Sequence, residues 1–177
     1  KGGVLFIDEA YSLVDDSNSF GDEAINTIVQ EMENHRDDVI VIFAGYPDKM
    51  KEFFAKNEGL RSRIAFHLDF PDYNAEELVD ILKLMADKKG YKLNPDIERK
   101  CLEIFAQAVK KKEFGNGRYV RNLLGQAMMA QSRRITKEYA GKKITRKALT
   151  TLKPEDFDVN ASKLIEKETK RTIGFVV

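Results

Sequence analysis

Val4-Leu5-Phe6-Ile7-Asp8-Glu9, near the start of the 177-residue sequence, is a run of four apolar residues that ends on two adjacent acids. Four apolar side chains in succession suit a parallel strand covered on both faces. Carboxylates at the C-terminal end of such a strand lie where an open α/β sheet places its ligands. In phosphate-handling sites built this way the first acid holds Mg²⁺ and the second polarises an attacking water. The same six residues also read as an ordinary buried strand with a solvated acidic turn at its end. The choice between the two depends on the residues downstream.

Val39-Ile40-Val41-Ile42-Phe43-Ala44 is a second continuous apolar run, closed by Gly45-Tyr46-Pro47. Between the two runs lies a polar loop, Asp15 to Gly21, and then a helical stripe of Ile25, Ile28, Val29 and Met32 that Asp22 can cap. A short helix with Met50, Phe53 and Phe54 turned inward leads to Gly59-Leu60-Arg61-Ser62-Arg63. Ile64, Phe66, Leu68 and Phe70 then alternate with Ala65, His67 and Asp69, a period of two that predicts a third strand. Strand, helix, strand, helix, strand is a βαβαβ unit, so a mostly parallel sheet is expected.

The period changes at Pro71-Asp72-Tyr73. Asn74 with Glu77 forms a capping-box pattern, and Leu78, Ile81, Leu82 and Met85 continue it at helical spacing up to Gly90. Asn94-Pro95 opens a helix with Ile97, Cys101, Leu102, Phe105 and Val109 on one stripe. After the break at Phe114-Gly115-Asn116-Gly117, a long helix is predicted from Arg118 to Tyr139. Leu152 to Phe157 reads as a short strand or turn, and residues 161–177 as a charged tail ending in Thr172-Ile173-Gly174-Phe175. The predicted organisation is α/β over residues 1–73, helical over 74–160 and tail over 161–177.

The composition, 42% hydrophobic and 33% charged, fits a globular protein with a real core. A net charge of +1 argues against nucleic acid as a partner, and the basic stretch from Arg133 to Lys147 is only a mild surface. A single cysteine, Cys101, excludes an internal disulfide framework and fits a reducing cytoplasm. No apolar run approaches the roughly 20 residues that a bilayer needs. His35 and His67 lack spaced partners for zinc. The chain enters its first strand directly after Lys1-Gly2-Gly3, which suggests part of a larger domain, because a buried parallel strand needs neighbours on both sides.

Three further features carry candidate chemistry. The Tyr46 hydroxyl can donate a hydrogen bond to a phosphate, or the residue is simply an aromatic lid on a turn. Arg61 and Arg63, at i and i+2 in an extended segment, point opposite ways, so one can face a neighbouring subunit. Arg118 and Arg121 stand on one face in the first turns of a helix. Cations there oppose the macrodipole, which hints at an anion nearby.

In this order the motifs resemble the AAA+ ATPases of the CbxX/CfqX group, which includes red-type Rubisco activase and stage V sporulation protein K. Gly2 to Leu13 is similar to the Walker B segment of that family, Val41 to Tyr46 to sensor 1, Gly59 to Ile64 to the arginine-finger segment, and Gly117 to Asn122 to sensor 2. The resemblance implies a partial P-loop sheet and, after it, a small all-α lid. It implies ATP and Mg²⁺ as cofactors, with Asp8 on the metal, Glu9 activating water, Arg63 or else Arg61 reaching a neighbour's γ-phosphate, and Arg118 with Arg121 touching the nucleotide from the lid. The family usually has Asn at sensor 1, where this chain has Gly45-Tyr46. It also implies a cytoplasmic ring, a hexamer, that remodels a protein substrate. A non-catalytic AAA+-like scaffold and a DNA-handling AAA+ protein are the alternatives. No Gly-x-x-x-x-Gly-Lys-[Ser/Thr] loop occurs in the 177 residues, so this stretch alone is expected to lack ATP turnover.

Overall fold

Both apolar runs form strands. In the computed structural model, which describes residues 2–14, 21–111 and 114–158, β1 (Gly3–Ile7) and β2 (Val39–Phe43) pair in parallel, with Gly3 opposite Val39 and Ile7 opposite Phe43. A parallel pair requires a crossover connection. Here α1 (Gly21–Asn34) supplies it. That helix starts one residue before Asp22, so Asp22 and Glu23 occupy its first turn, where they favour the macrodipole. α2 (Pro47–Lys56) and α3 (Glu58–Arg61) come after β2. Ala10, Ile25, Met50, Phe53 and Leu60 form the core of this part, and Ile7 and Phe43 reach it from the C-terminal ends of the strands.

The strands are less covered than their composition predicts. Val4, Leu5, Phe6, Val39, Ile40 and Ile42 are all exposed. The expected third strand is absent as well: residues 64–70 have no regular secondary structure, and Phe66, Leu68 and Phe70 are exposed. A strand exists only when paired, and among the described residues no third edge runs beside this segment. The alternation of apolar side chains is there, but the partner that would give it meaning is not. The arginine pair also departs from expectation. Leu60 is fully buried and accepts backbone bonds from Arg63 and Ile64, so the chain continues as a helical turn through Ser62 rather than extending.

The chain divides into two compact units, Lys1–Phe70 and Pro71–Val177. In the second, α4 (Ala75–Asp87), α5 (Pro95–Ala108) and α6 (Asn116–Glu138) enclose one core. Both predicted starts are built as their residues dictate. The Asn74 side chain accepts from the Glu77 N–H at 2.8 Å while the Asn74 N–H donates to the Glu77 carboxylate at 2.9 Å. Asn94 accepts from the Ile97 N–H at 2.9 Å with Pro95 in the first turn. Leu78, Leu82, Ile97, Cys101, Phe105, Val120 and Leu123 are fully buried, and the Tyr119 ring meets Phe105 and Phe114 edge-on.

α7 (Arg146–Thr150), capped by the Thr145 side chain, begins at the end of the stretch read as basic surface. Gln131 of α6 holds it: its amide donates to the carbonyls of Ala148, Leu149 and Thr151 and accepts from the Tyr91 hydroxyl. Leu152 to Phe157 lies between a single parallel bridge, Thr151 to Lys92, and the end of a 3₁₀ turn over Pro154–Phe157. Of the predicted loop from Asp15 to Gly21, Gly21 opens α1 and residues 15–20 lie outside the described residues, as do the tail at 161–177 and its Thr172-Ile173-Gly174-Phe175 ending.

Candidate active site

The acid pair sits on a turn that β2 pins from both sides. The Ala44 N–H donates to the Ile7 carbonyl at 2.9 Å, and the Ala10 N–H donates to the Ala44 carbonyl at 3.0 Å. Two residues, Asp8 and Glu9, must bridge that interval, so both project past the carboxyl end of the sheet and are exposed. The bridge is strained: Glu9 has φ 50°, a left-handed conformation rare for a residue with a side chain. Such strain persists where surrounding bonds enforce it, and it concentrates at functional positions. Here the enforcing bonds are the Ala44 pair and the Ser12 N–H, which donates to the Glu9 carbonyl at 2.8 Å. One Asp8 carboxylate oxygen accepts from the Glu9 N–H at 3.0 Å.

Tyr46 stands beside this turn. It precedes α2 with an extended backbone, and its side chain is 55% exposed. Gly45, just before it, has no room for a side chain. A Cβ there would lie 2.8 Å from the Met50 sulfur and 2.8 Å from a Tyr11 ring carbon, so only glycine lets the Tyr11 ring lie against the backbone. The Tyr11 phenol is pushed above its ordinary value by burial first, then by Glu9, Tyr46 and Asp8. Lys49 places its ammonium 4.7 Å from the centre of the same ring. Glu9, Tyr46 and Asp8 thus all act electrostatically on the Tyr11 phenol. Tyr11 and Lys49 were not singled out by sequence reasoning. The available signal was the tyrosine two residues past the acids, facing a glycine that ends the next strand.

The remaining candidates lie elsewhere. Arg63 donates to the Glu33 carboxylate of α1 at 3.3 Å and to the Gly59 carbonyl at 3.1 Å. Arg61 is exposed at the end of α3 and forms no ion pair among the described residues. Arg118 and Arg121 are both exposed in the first turns of α6, in the second unit. That helix begins after Gly115, at φ 86°, with no side-chain cap.

Comparison with known proteins gives the family. Residues 1–72 match the model of the ATPase family associated with various cellular activities (AAA), and residues 74–167 match an AAA lid domain. The chain belongs to the AAA family of ATPases. Within it, the relatives are those of the CbxX/CfqX group. The chloroplastic ribulose bisphosphate carboxylase/oxygenase activase of Cyanidioschyzon merolae is 46% identical over 157 residues, 88% of this chain and 53% of that protein. The CfxQ homolog of Guillardia theta is 46% identical over 158 residues, with the same two shares. Protein CbbX of Cereibacter sphaeroides is 42% identical over 167 residues, 93% of this chain and 53% of its own. The chain thus spans about half the length of the curated relatives it matches.

An AAA nucleotide site needs a divalent metal, and the donor set here suits one of a particular kind. Among the described residues no group of three or more His, Cys, Asp or Glu side chains could hold a metal ion. Mg²⁺ is commonly bound by one or two carboxylates, with water and phosphate supplying the rest. Asp8 is exposed, and its bond to the Glu9 N–H engages one oxygen, so the chemistry fits that mode. No helix among the described residues is long and apolar enough to cross a membrane.

Proposed function

We propose that the protein containing these residues hydrolyses ATP and uses the energy to remodel a protein complex as a ring of subunits, a hexamer, in the cytoplasm or an equally reducing compartment. The carrying observation is the pinned Asp8–Glu9 turn at the open carboxyl end of β1. Residues 1–73 are the later part of the nucleotide-binding subdomain, 74–160 the lid and 161–177 a tail. Mg²⁺ would be held through Asp8 and would neutralise phosphate charge. Glu9 accepts a proton from, or orients, the attacking water. Tyr46 donates a hydrogen bond toward the terminal phosphate, and Arg118 and Arg121 bring positive charge to the phosphates from the lid. The red algal relative is named for activating ribulose bisphosphate carboxylase/oxygenase, which supports a protein assembly as the client here.

Arg63 is the proposed arginine finger, with Arg61 as the second candidate. Such a residue is worth about 10³–10⁵ in rate when it reaches transition-state charge. The ion pair to Glu33 is exposed enough to exchange for a phosphate, because surface pairs of this kind contribute only about 0–1 kcal/mol. The 177 residues lack the glycine-rich loop and lysine that cradle phosphates, so they do not turn ATP over by themselves.

The test is phosphate release by the whole protein, with and without Mg²⁺. Rings are then mixed from wild-type and Arg63→Ala subunits, and separately from wild-type and Arg61→Ala subunits. A finger acting across the subunit boundary makes activity depend on which neighbours meet, and excess variant removes nearly all of it. Metal-independent turnover, or full activity in rings made only of each variant, would refute the reading.

A further inference from the structure

The start of the second unit is held by a residue to which no role has yet been given. Asp72 and Tyr73 lie just after the division at Phe70 and Pro71. The Asn116 carbonyl oxygen accepts from the Tyr73 N–H at 3.0 Å, and the Asn116 amide donates to the Asp72 carboxylate at 2.6 Å. One side chain uses both its donor and its acceptor on two consecutive residues more than forty positions away. Asn116 adopts φ 45°, which asparagine tolerates better than most residues, and it comes after Gly115 at φ 86°. Next in sequence, Asn74 is fixed by its capping box with Glu77. Residues 72, 73 and 74 are therefore all bound to the helical unit. The segment before them, 64–70, has no regular secondary structure.

We propose that Asn116 is a positioning residue that couples the nucleotide contact of Arg118 to the first residues of the helical unit, Asp72 and Tyr73. Arg118 is two residues along the same helical turn. A displacement of that turn is carried by two hydrogen bonds into Asp72 and Tyr73. Without Asn116 the turn still meets nucleotide, but its movement is lost in slack chain. The inference rests on the reading of Arg118 as a nucleotide-contacting residue.

The test uses the whole protein and reads amide hydrogen exchange at Tyr73 with and without Mg²⁺–ATP, alongside steady-state ATP hydrolysis. In the wild type the Tyr73 amide is protected, and its exchange shifts with nucleotide. Asn116→Ala speeds Tyr73 exchange by about tenfold or more and abolishes the shift. It lowers kcat by about tenfold or more while the KM for ATP stays within about twofold, because positioning is lost and binding is not. Asn116→Asp, which sets a second carboxylate against Asp72, behaves likewise. The double variant Asn116→Asp with Asp72→Asn restores protection and kcat, since the exchanged amide donates back to the exchanged carboxylate. A loss that reflected only damaged folding would not be rescued this way. Unchanged Tyr73 exchange in Asn116→Ala, or no rescue by the double variant, overturns the proposal. Arg118→Ala separates the two readings. A raised KM with Tyr73 still protected supports both, whereas an unchanged KM removes the nucleotide contact and, with it, this coupling.

Discussion

Gly45 has no room for a methyl group. Its space is filled by the Tyr11 ring and the Met50 side chain, and Tyr11 in turn packs beside the acid-bearing turn. Gly45→Ala is expected to destabilise the chain by about 1–3 kcal/mol, the usual range for overpacking, read as a lower urea midpoint at unchanged slope. Cys101 shows the opposite kind of constraint. It is fully buried on α5, and burial pushes its thiol up to about 12 from 9.0. Below pH 9 the folded and unfolded chains both hold that proton. Between pH 9 and about 12 only the unfolded chain releases it, so stability falls as pH rises, by at most about 1.4 kcal/mol per pH unit. The difference in alkaline stability between wild type and Cys101→Ala isolates this contribution. Iodoacetamide at pH 8 should leave Cys101 unmodified until the chain unfolds.

At the level of elements, what the sequence revealed is what local chemistry controls. The caps at Asn74 and Asn94 involve residues three positions apart, and both form as their residue types require. The helical stripes around Leu82, Phe105 and Leu123 are buried for the same reason. What was hidden depends on distant partners. The alternation from Ile64 to Phe70 is genuine, but pairing decides whether it becomes a strand. The Glu33 partner of Arg63 is 30 residues away, and the Tyr73 partner of Asn116 is 43 away, beyond any short-range signal. α7 carried a readable start in Thr145, masked by the surrounding lysines and arginines. The last 3₁₀ turn is fixed to α6 by a buried ion pair that no spacing announces. Asp156, 3% exposed, accepts from the Arg134 guanidinium at 2.9 and 2.8 Å and from the Lys153 N–H at 2.8 Å. Asp156→Ala leaves Arg134 without its bidentate partner. It should destabilise the helical unit by about 3–5 kcal/mol, measured by thermal or urea unfolding.

On the scale of the molecule, the two units differ in how complete their burial is. The helical unit closes around its own core from Leu78 to Phe157. In the first unit a two-stranded parallel sheet leaves Val4, Phe6 and Ile40 each about 60% exposed, and parallel sheets are normally covered on both faces. That contrast agrees with a chain that spans about half the length of its curated relatives. Of the parts proposed to handle phosphate, the acids, the tyrosine and the arginines occur in the 177 residues and the glycine-rich loop does not. We propose that Glu9, held in a strained turn at the open end of β1, drives ATP hydrolysis. The most direct measurement is ATP turnover and ATP affinity of the whole protein carrying Glu9→Gln. The predicted result is turnover lower by about 10²-fold or more with affinity within a few fold of wild type. Turnover within about twofold of wild type would contradict it.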